Sequence, residues 1–124
     1  MARAHEKVRR LPLGERRTYT PLSAAIECEA AFKLLEGRWK MVIVFHLFDG
    51  EVRRFSDLER LVTGISQKML AQQLRQLEAD GIVGRTVLPE VPPRVEYRLT
   101  AWGQALCPAL DAILKWKETR VTAG

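Results

Sequence analysis

Apolar residues first recur at helical spacing after Pro21-Leu22-Ser23, where Ile26, Ala30, Phe32 and Leu34-Leu35 predict a helix. Glu36-Gly37-Arg38 ends it, since glycine suits the position just past a helix terminus. From Trp39 to Phe48 the chain is apolar nearly all round (Trp39, Met41, Val42, Ile43, Val44, Phe45, Leu47, Phe48). That stretch is too short to span a bilayer, which needs roughly 18 apolar residues, so a buried central helix is expected. Asp49-Gly50 then turns the chain.

Arg53-Arg54-Phe55 predicts a very short strand. Ser56 follows as an expected N-cap, with Glu59 as the other half of a capping box over a short helix, Ser56 to Val62. Thr63-Gly64-Ile65 gives a tight turn, and Ser66 is expected to cap a longer helix ending at Asp80-Gly81. A short helix, a glycine-containing turn and a second helix make the helix-turn-helix pattern.

The period then changes. Arg85-Thr86-Val87-Leu88 and Arg94-Val95-Glu96-Tyr97-Arg98-Leu99 alternate as strands do, separated by the proline-rich Pro89-Glu90-Val91-Pro92-Pro93. Val95, Tyr97 and Leu99 share one face of the second strand; Arg94, Glu96 and Arg98 share the other. A two-stranded hairpin directly after the second helix is a wing. Thr100 is expected to cap a long last helix with Trp102, Leu106, Ala109, Leu110, Ile113 and Lys117 along one side and Trp116 adding apolar surface. Pro108 inside that helix removes a hydrogen bond, and a kink is expected there. The expected fold is mainly α (α+β): a winged helix-turn-helix with a two-stranded wing and long N- and C-terminal helices.

The segment from Ile65 to Asp80 divides into two faces. Ile65, Met69, Leu70, Leu74 and Leu77 form an apolar stripe, while Gln67, Lys68, Ala71, Gln72 and Arg75 fall opposite it. Amides and cations are the groups that pair with base edges and phosphates. No carboxylate occurs from Ser66 to Gln76, although helix N-terminal turns ordinarily favour acids. Both features point to an anionic partner. Ser56 and Ser66 add hydroxyls and helix-start amides for phosphates, Arg54 precedes the first of these helices, and Arg85 and Arg94 lie on the wing strands. Each lone arginine is more often a surface charge than a DNA contact; their joint placement around one helix is what favours duplex DNA.

The net charge of +5 agrees with a polyanionic partner without requiring one. Arg3, Lys7, Arg9, Arg10, Arg16 and Arg17 crowd the first residues, so residues 1–19 read as a basic arm, either phosphate-touching or merely solvated, before a domain over 20–124. No apolar stretch follows that basic start and no run is long enough for a membrane span, so neither secretory signal nor membrane partner is expected, and the protein reads as cytoplasmic. Cys28 and Cys107 are too few for a disulfide framework and lack metal-ligand spacing. His5 and His46 have no ligand partners nearby in sequence, and no phosphate loop, nucleophile elbow or carboxylate pair is present. Neither a metal, a cofactor nor an enzymatic activity is expected.

Several stretches resemble successive motifs of HxlR-type regulators: Leu34-Leu35-Glu36-Gly37-Arg38-Trp39-Lys40, Arg54-Phe55-Ser56-Asp57-Leu58, Gly64-Ile65-Ser66-Gln67-Lys68-Met69-Leu70, Leu74-Arg75-Gln76-Leu77-Glu78-Ala79-Asp80-Gly81-Ile82-Val83, Pro92-Pro93-Arg94-Val95-Glu96-Tyr97 and Leu99-Thr100. The resemblance runs from about Glu29 to Trp116, in order and at the right spacing. It implies a bacterial transcription regulator, commonly a repressor, that binds a pseudo-palindromic operator as a homodimer joined through its first and last helices. The implied dimer residues are Ile26, Ala30, Trp102, Leu106, Leu110, Ile113 and Trp116. Several members of that family respond to thiol oxidants or electrophiles. Their sensing cysteine, followed by proline, falls at Ile26 here; Cys28 comes two residues later, before Glu29. Leu88 likewise stands where the family often has an aromatic residue in the wing.

Glu27 and Glu29 oppose the lowered pKa that a sensor thiol at Cys28 would need, so an inert thiol is the plainer reading. Cys107 lies on the last helix, where oxidation could crosslink subunits. Trp102 and Trp116 suit a dimer core better than a small-molecule effector pocket, since interfaces are enriched in aromatic residues. The competing function is a winged helix that binds an acidic protein surface without reading DNA sequence.

Overall fold

The structure, a computed structural model, describes residues 18–123. Apart from Thr18 and Tyr19, the expected basic arm lies outside the described residues. The described residues divide into two units between Glu36 and Gly37.

In the first unit, helix α1 spans Pro21–Leu34. Thr20 opens it with a reciprocal capping box: the Ser23 N–H donates to Thr20 Oγ1 at 3.1 Å, and the Thr20 N–H donates to Ser23 Oγ at 2.9 Å. Pro21 has no N–H to leave unsatisfied at this helix start. No residue of α1 is buried, and Leu22, Ile26 and Phe32 are all more than half exposed.

The second unit contains α2 (Lys40–Leu47), β1 (Arg53–Arg54), α3 (Phe55–Leu61), α4 (Gln67–Ala79), β2 (Val83–Leu88), β3 (Arg94–Leu99), α5 (Ala101–Gln104) and α6 (Leu106–Ala123). Its core gathers Ile43, Val44 and Leu47 from α2, Leu58 from α3, Leu70, Leu74 and Leu77 from α4, and Val62, Ile82 and Val83 beside them. Each such side chain contributes about 1.5–3 kcal/mol on burial. Helix α2 is less buried than its composition predicts: Met41 and Phe45 remain exposed, because an eight-residue helix turns only part of its circumference to the core.

One expectation is corrected here. The capping box of α3 does not use Ser56 and Glu59. The helix begins one residue earlier, and the Arg54 backbone N–H donates to Asp57 Oδ2 at 2.9 Å. A carboxylate three residues past the last extended residue is what meets that N–H, and Glu59 lies too far along. The wing hairpin forms as expected, and the short strand joins it in a three-stranded antiparallel sheet of order β1-β3-β2, with Arg53 opposite Tyr97 and Arg54 opposite Glu96. Two residues are too few for alternation to announce that pairing. Burial along β3 does not follow the alternation of its two faces, for Arg98 alone of its residues is exposed.

The last helix is interrupted as Pro108 predicts, one turn upstream, at Ala105. Proline lacks the N–H that would bond the Gln104 carbonyl, and its ring crowds that carbonyl. Gln104 is fixed in another way: its Nε2 donates to the Phe48 carbonyl at 2.9 Å, tying α5 to the end of α2. Thr100 caps α5, accepting from the Gly103 N–H at 3.0 Å.

Candidate nucleic-acid interface

The helix-turn-helix is α3, a turn through Gly64, and α4. Gly64 has φ +89°, the left-handed region that glycine enters without strain. Ser66 then caps α4, accepting from the Met69 N–H at 3.1 Å. Leu70, Leu74 and Leu77 are buried, whereas Ser66, Gln67, Lys68, Gln72 and Arg75 are exposed. The amphipathic division of this helix is therefore as its sequence predicts; Ala71 is half-buried between the two faces.

The start of α3, the start of α4 and the wing loop enclose a cleft of about 540 Å³. Arg54, Ser56, Gln67 and Arg94 line it, so four of the sequence-predicted residues converge on one place. Arg85 does not join them. The β2–β3 register sets Arg85 opposite Tyr97, while Arg54 and Arg94 fall on the other face with Glu96. Directly paired residues share a face and neighbours along a strand alternate, so Arg85 points away from the Arg54 side of the sheet.

The cations differ in their surroundings. Among the described residues, no ion pair engages Arg54, Lys68, Arg75 or Arg85. Arg94 is engaged: its Nη2 lies 2.8 Å from Glu90 Oε2 and its Nε 3.6 Å from Glu96 Oε2. Sequence reasoning missed these two acids and Glu59, which also lines the cleft. The spacing of Glu90 to Arg94 was the available signal, hidden in a segment without regular structure. Asp57 braces the same corner. The Arg54 N–H holds its carboxyl below the ordinary carboxylate value, opposed by partial burial and assisted by Arg60 at 3.2 Å.

Of the residues expected at a dimer interface, Ile26 and Ala30 are exposed on α1, and Trp102, Ile113 and Trp116 are exposed on α5 and α6. Leu106 is half-buried. Leu110 is corrected: at 6% exposure it is buried within a single chain and has little surface to offer a second. Cys28 is exposed on α1 and Cys107 half-buried in the first turn of α6; both are free thiols. Among the described residues no three potential metal ligands cluster, and no helix is long and apolar enough to cross a membrane.

Residues 34–123, most of the second unit and the end of α1, match the HxlR-like helix-turn-helix family. The chain belongs to that family. YtcD, an HTH-type transcriptional regulator of Bacillus subtilis strain 168, is 48% identical over 91 residues, covering 73% of this chain and 71% of that protein. The reduced form of the transcriptional regulator YodB from B. subtilis superposes with a TM-score of 0.72 at 37% identity, covering 86% of this chain and 99% of that one. The redox regulator HypR in its reduced form gives 0.69 at 41% identity, over 75% of this chain and 91% of that one. The HxlR-like chain described here is thus a DNA-binding transcription regulator built on a winged helix-turn-helix, and the protein-interaction alternative is not favoured.

Proposed function

We propose that this HxlR-like protein acts in the cytoplasm as a homodimeric repressor, placing α4 of each subunit in the major groove of a pseudo-palindromic operator. The observation that carries the reading is the exposed face of α4, free of acids as far as Gln76, where Gln67, Lys68, Gln72 and Arg75 stand clear of any described ion pair. Gln72 and Arg75 read base edges, Lys68 and the Ser66 hydroxyl meet phosphate, and Arg54, Ser56 and Arg94 hold the flanking backbone. Arg85 contributes only if the opposite face of the wing also meets DNA.

Dimerisation is supported by exposed apolar surface. Trp102, Ile113, Leu114 and Trp116 on α5 and α6 are each at least two-fifths exposed, and Ile26 on α1 is more than half exposed. A second copy is the simplest cover for so much apolar area. Two-fold symmetry would set the recognition helices in successive major grooves, about 34 Å apart or a multiple of that.

Selection from a random duplex library tests the whole reading. An enriched inverted repeat with one-turn half-site spacing is expected, and enrichment of single half-sites would refute the dimer. Repeating the selection after mild oxidation, which would erase the motif if Cys28 or Cys107 were a sensor, decides the thiol response.

A further inference from the structure

We propose that Glu90 withholds Arg94 from DNA, so that the wing engages the duplex by exchanging an internal carboxylate for a backbone phosphate. This inference rests on the DNA-facing reading of the cleft. Arg94 is the one cation of that face, among the described residues, held in ion pairs within its own chain. Glu90 lies in the wing loop four residues before it and takes one guanidinium nitrogen at 2.8 Å. Glu96, on the same strand and the same face, stands 3.6 Å from Nε.

The pairing is unequal. Nε of Arg94 is buried without a hydrogen-bond partner, so Glu96 acts on it as a near charge and not as an acceptor. Glu90 makes the only hydrogen bond described for this guanidinium, and its side chain is 48% exposed against 25% for Glu96. The more solvated partner is the one a phosphate can displace; Glu96 stays as the inner countercharge. A guanidinium donates to phosphate in the same forked geometry as to carboxylate, so the exchange needs no new side-chain shape. Arg54 and Gln67 line the cleft beside it, which places the exchanged phosphate next to an arginine that holds no ion pair among the described residues.

An acid near DNA also repels it, whatever Arg94 does. A double-mutant cycle separates the two effects. Binding of a fixed 30-base-pair random-sequence duplex would be measured in low salt, because phosphate contacts are independent of sequence. The variants are Glu90→Gln, Arg94→Ala and the pair. An exposed ion pair of this kind predicts tightening of about two- to five-fold for Glu90→Gln. In the Arg94→Ala background the same change should give clearly less tightening, because only the direct repulsion is then relieved.

Equal tightening in both backgrounds would overturn the proposal, leaving Glu90 as a repelling charge. Weaker binding by Glu90→Gln would also overturn it, since Glu90 would then be orienting Arg94 for DNA. Lys68→Ala and Arg75→Ala in the same assay report on the face itself. If neither weakened binding, the DNA-facing reading would fall, whatever the cycle showed.

Discussion

Gly103 stands so close to the carbonyl of Ile82 that a β-carbon at position 103 would strike backbone. The contact arises because Ile82 O is already engaged: it accepts from the Thr100 N–H at 3.0 Å, drawing the start of α5 onto the first residues of β2. Thr100 Oγ1 also donates to the Gly81 carbonyl at 2.6 Å, closing the corner between recognition helix and last helix. Gly103→Ala must therefore separate these elements. Overpacking of this kind costs about 1–3 kcal/mol, or a fall in Tm of roughly 4–8 °C per kcal/mol for a domain of this size. Thermal unfolding followed by circular dichroism would check it, and an unchanged Tm would mean the corner is softer than its geometry.

Much of this is legible in the sequence alone. The caps at Ser66 and Thr100, the turns at Gly50 and Gly64 and the two faces of α4 follow from short-range chemistry that a sequence states directly. What stayed hidden was set by partners distant in the chain. The sequence marks a short strand at Arg53-Arg54 but not its pairing with β3, and Arg85 is separated from Arg54 only by register. Leu110 looked like interface because its helical spacing matches that of Ile113 and Leu106, and spacing cannot tell a covered side chain from an open one. The cap of α3 falls at Arg54, two residues before Ser56, which is the better-known capping type but not the extended residue.

The Ser66 cap gives a second expectation. Its Oγ accepts the Met69 N–H at 3.1 Å at the end of the helix that carries the reading face. Ser66→Ala should lower stability by about 1 kcal/mol, while Ser66→Asp should restore most of it. The aspartate should still bind DNA less well than the wild type, because it places a negative charge where phosphate is expected. Chemical denaturation paired with duplex binding would separate the two effects; rescue of both by aspartate would remove Ser66 from the phosphate contacts.

Acid should loosen the first helix of the motif. The carboxyl of Asp57 is held below its ordinary value of 3.8 first by the Arg54 N–H, against partial burial, with Arg60 assisting. A depressed carboxylate stabilises the fold fully above its unfolded value. That contribution declines as pH falls from about 3.8 through the lower folded value. Asp57→Asn keeps an acceptor oxygen but loses the charge, so wild type should exceed the variant in stability at neutral pH, and the gap should shrink below pH 4. A gap constant with pH, measured by urea unfolding, would detach Asp57 from the acid response.

On the reading helix, Lys68 and Arg75 should behave differently. Lys68→Ala removes a phosphate contact, so affinity should fall similarly for all duplexes and the slope of log K against log salt should drop by about 0.9. Arg75→Ala, like Gln72→Ala, should relax preference at one operator position, costing about 1–3 kcal/mol on the preferred base and much less on others. The salt slope at two ionic strengths and a repeated library selection distinguish the two patterns. Identical outcomes for the three variants would contradict the division of roles along α4.

Trp116 bears on subunit association. It is 73% exposed near the end of α6, so within one chain it contributes little burial and its removal should cost the protomer little stability. At an interface the same side chain would be an anchor, and truncating such an aromatic commonly costs 2 kcal/mol or more, roughly a thirty-fold rise in the dimer dissociation constant. Trp116→Ala is thus expected to give a folded chain that sediments increasingly as monomer on dilution and loses operator affinity steeply, since each half-site is then bound alone. Unchanged sedimentation at micromolar protein would place the interface elsewhere. A monomer that kept full operator affinity would instead show that one α4 helix is sufficient for recognition.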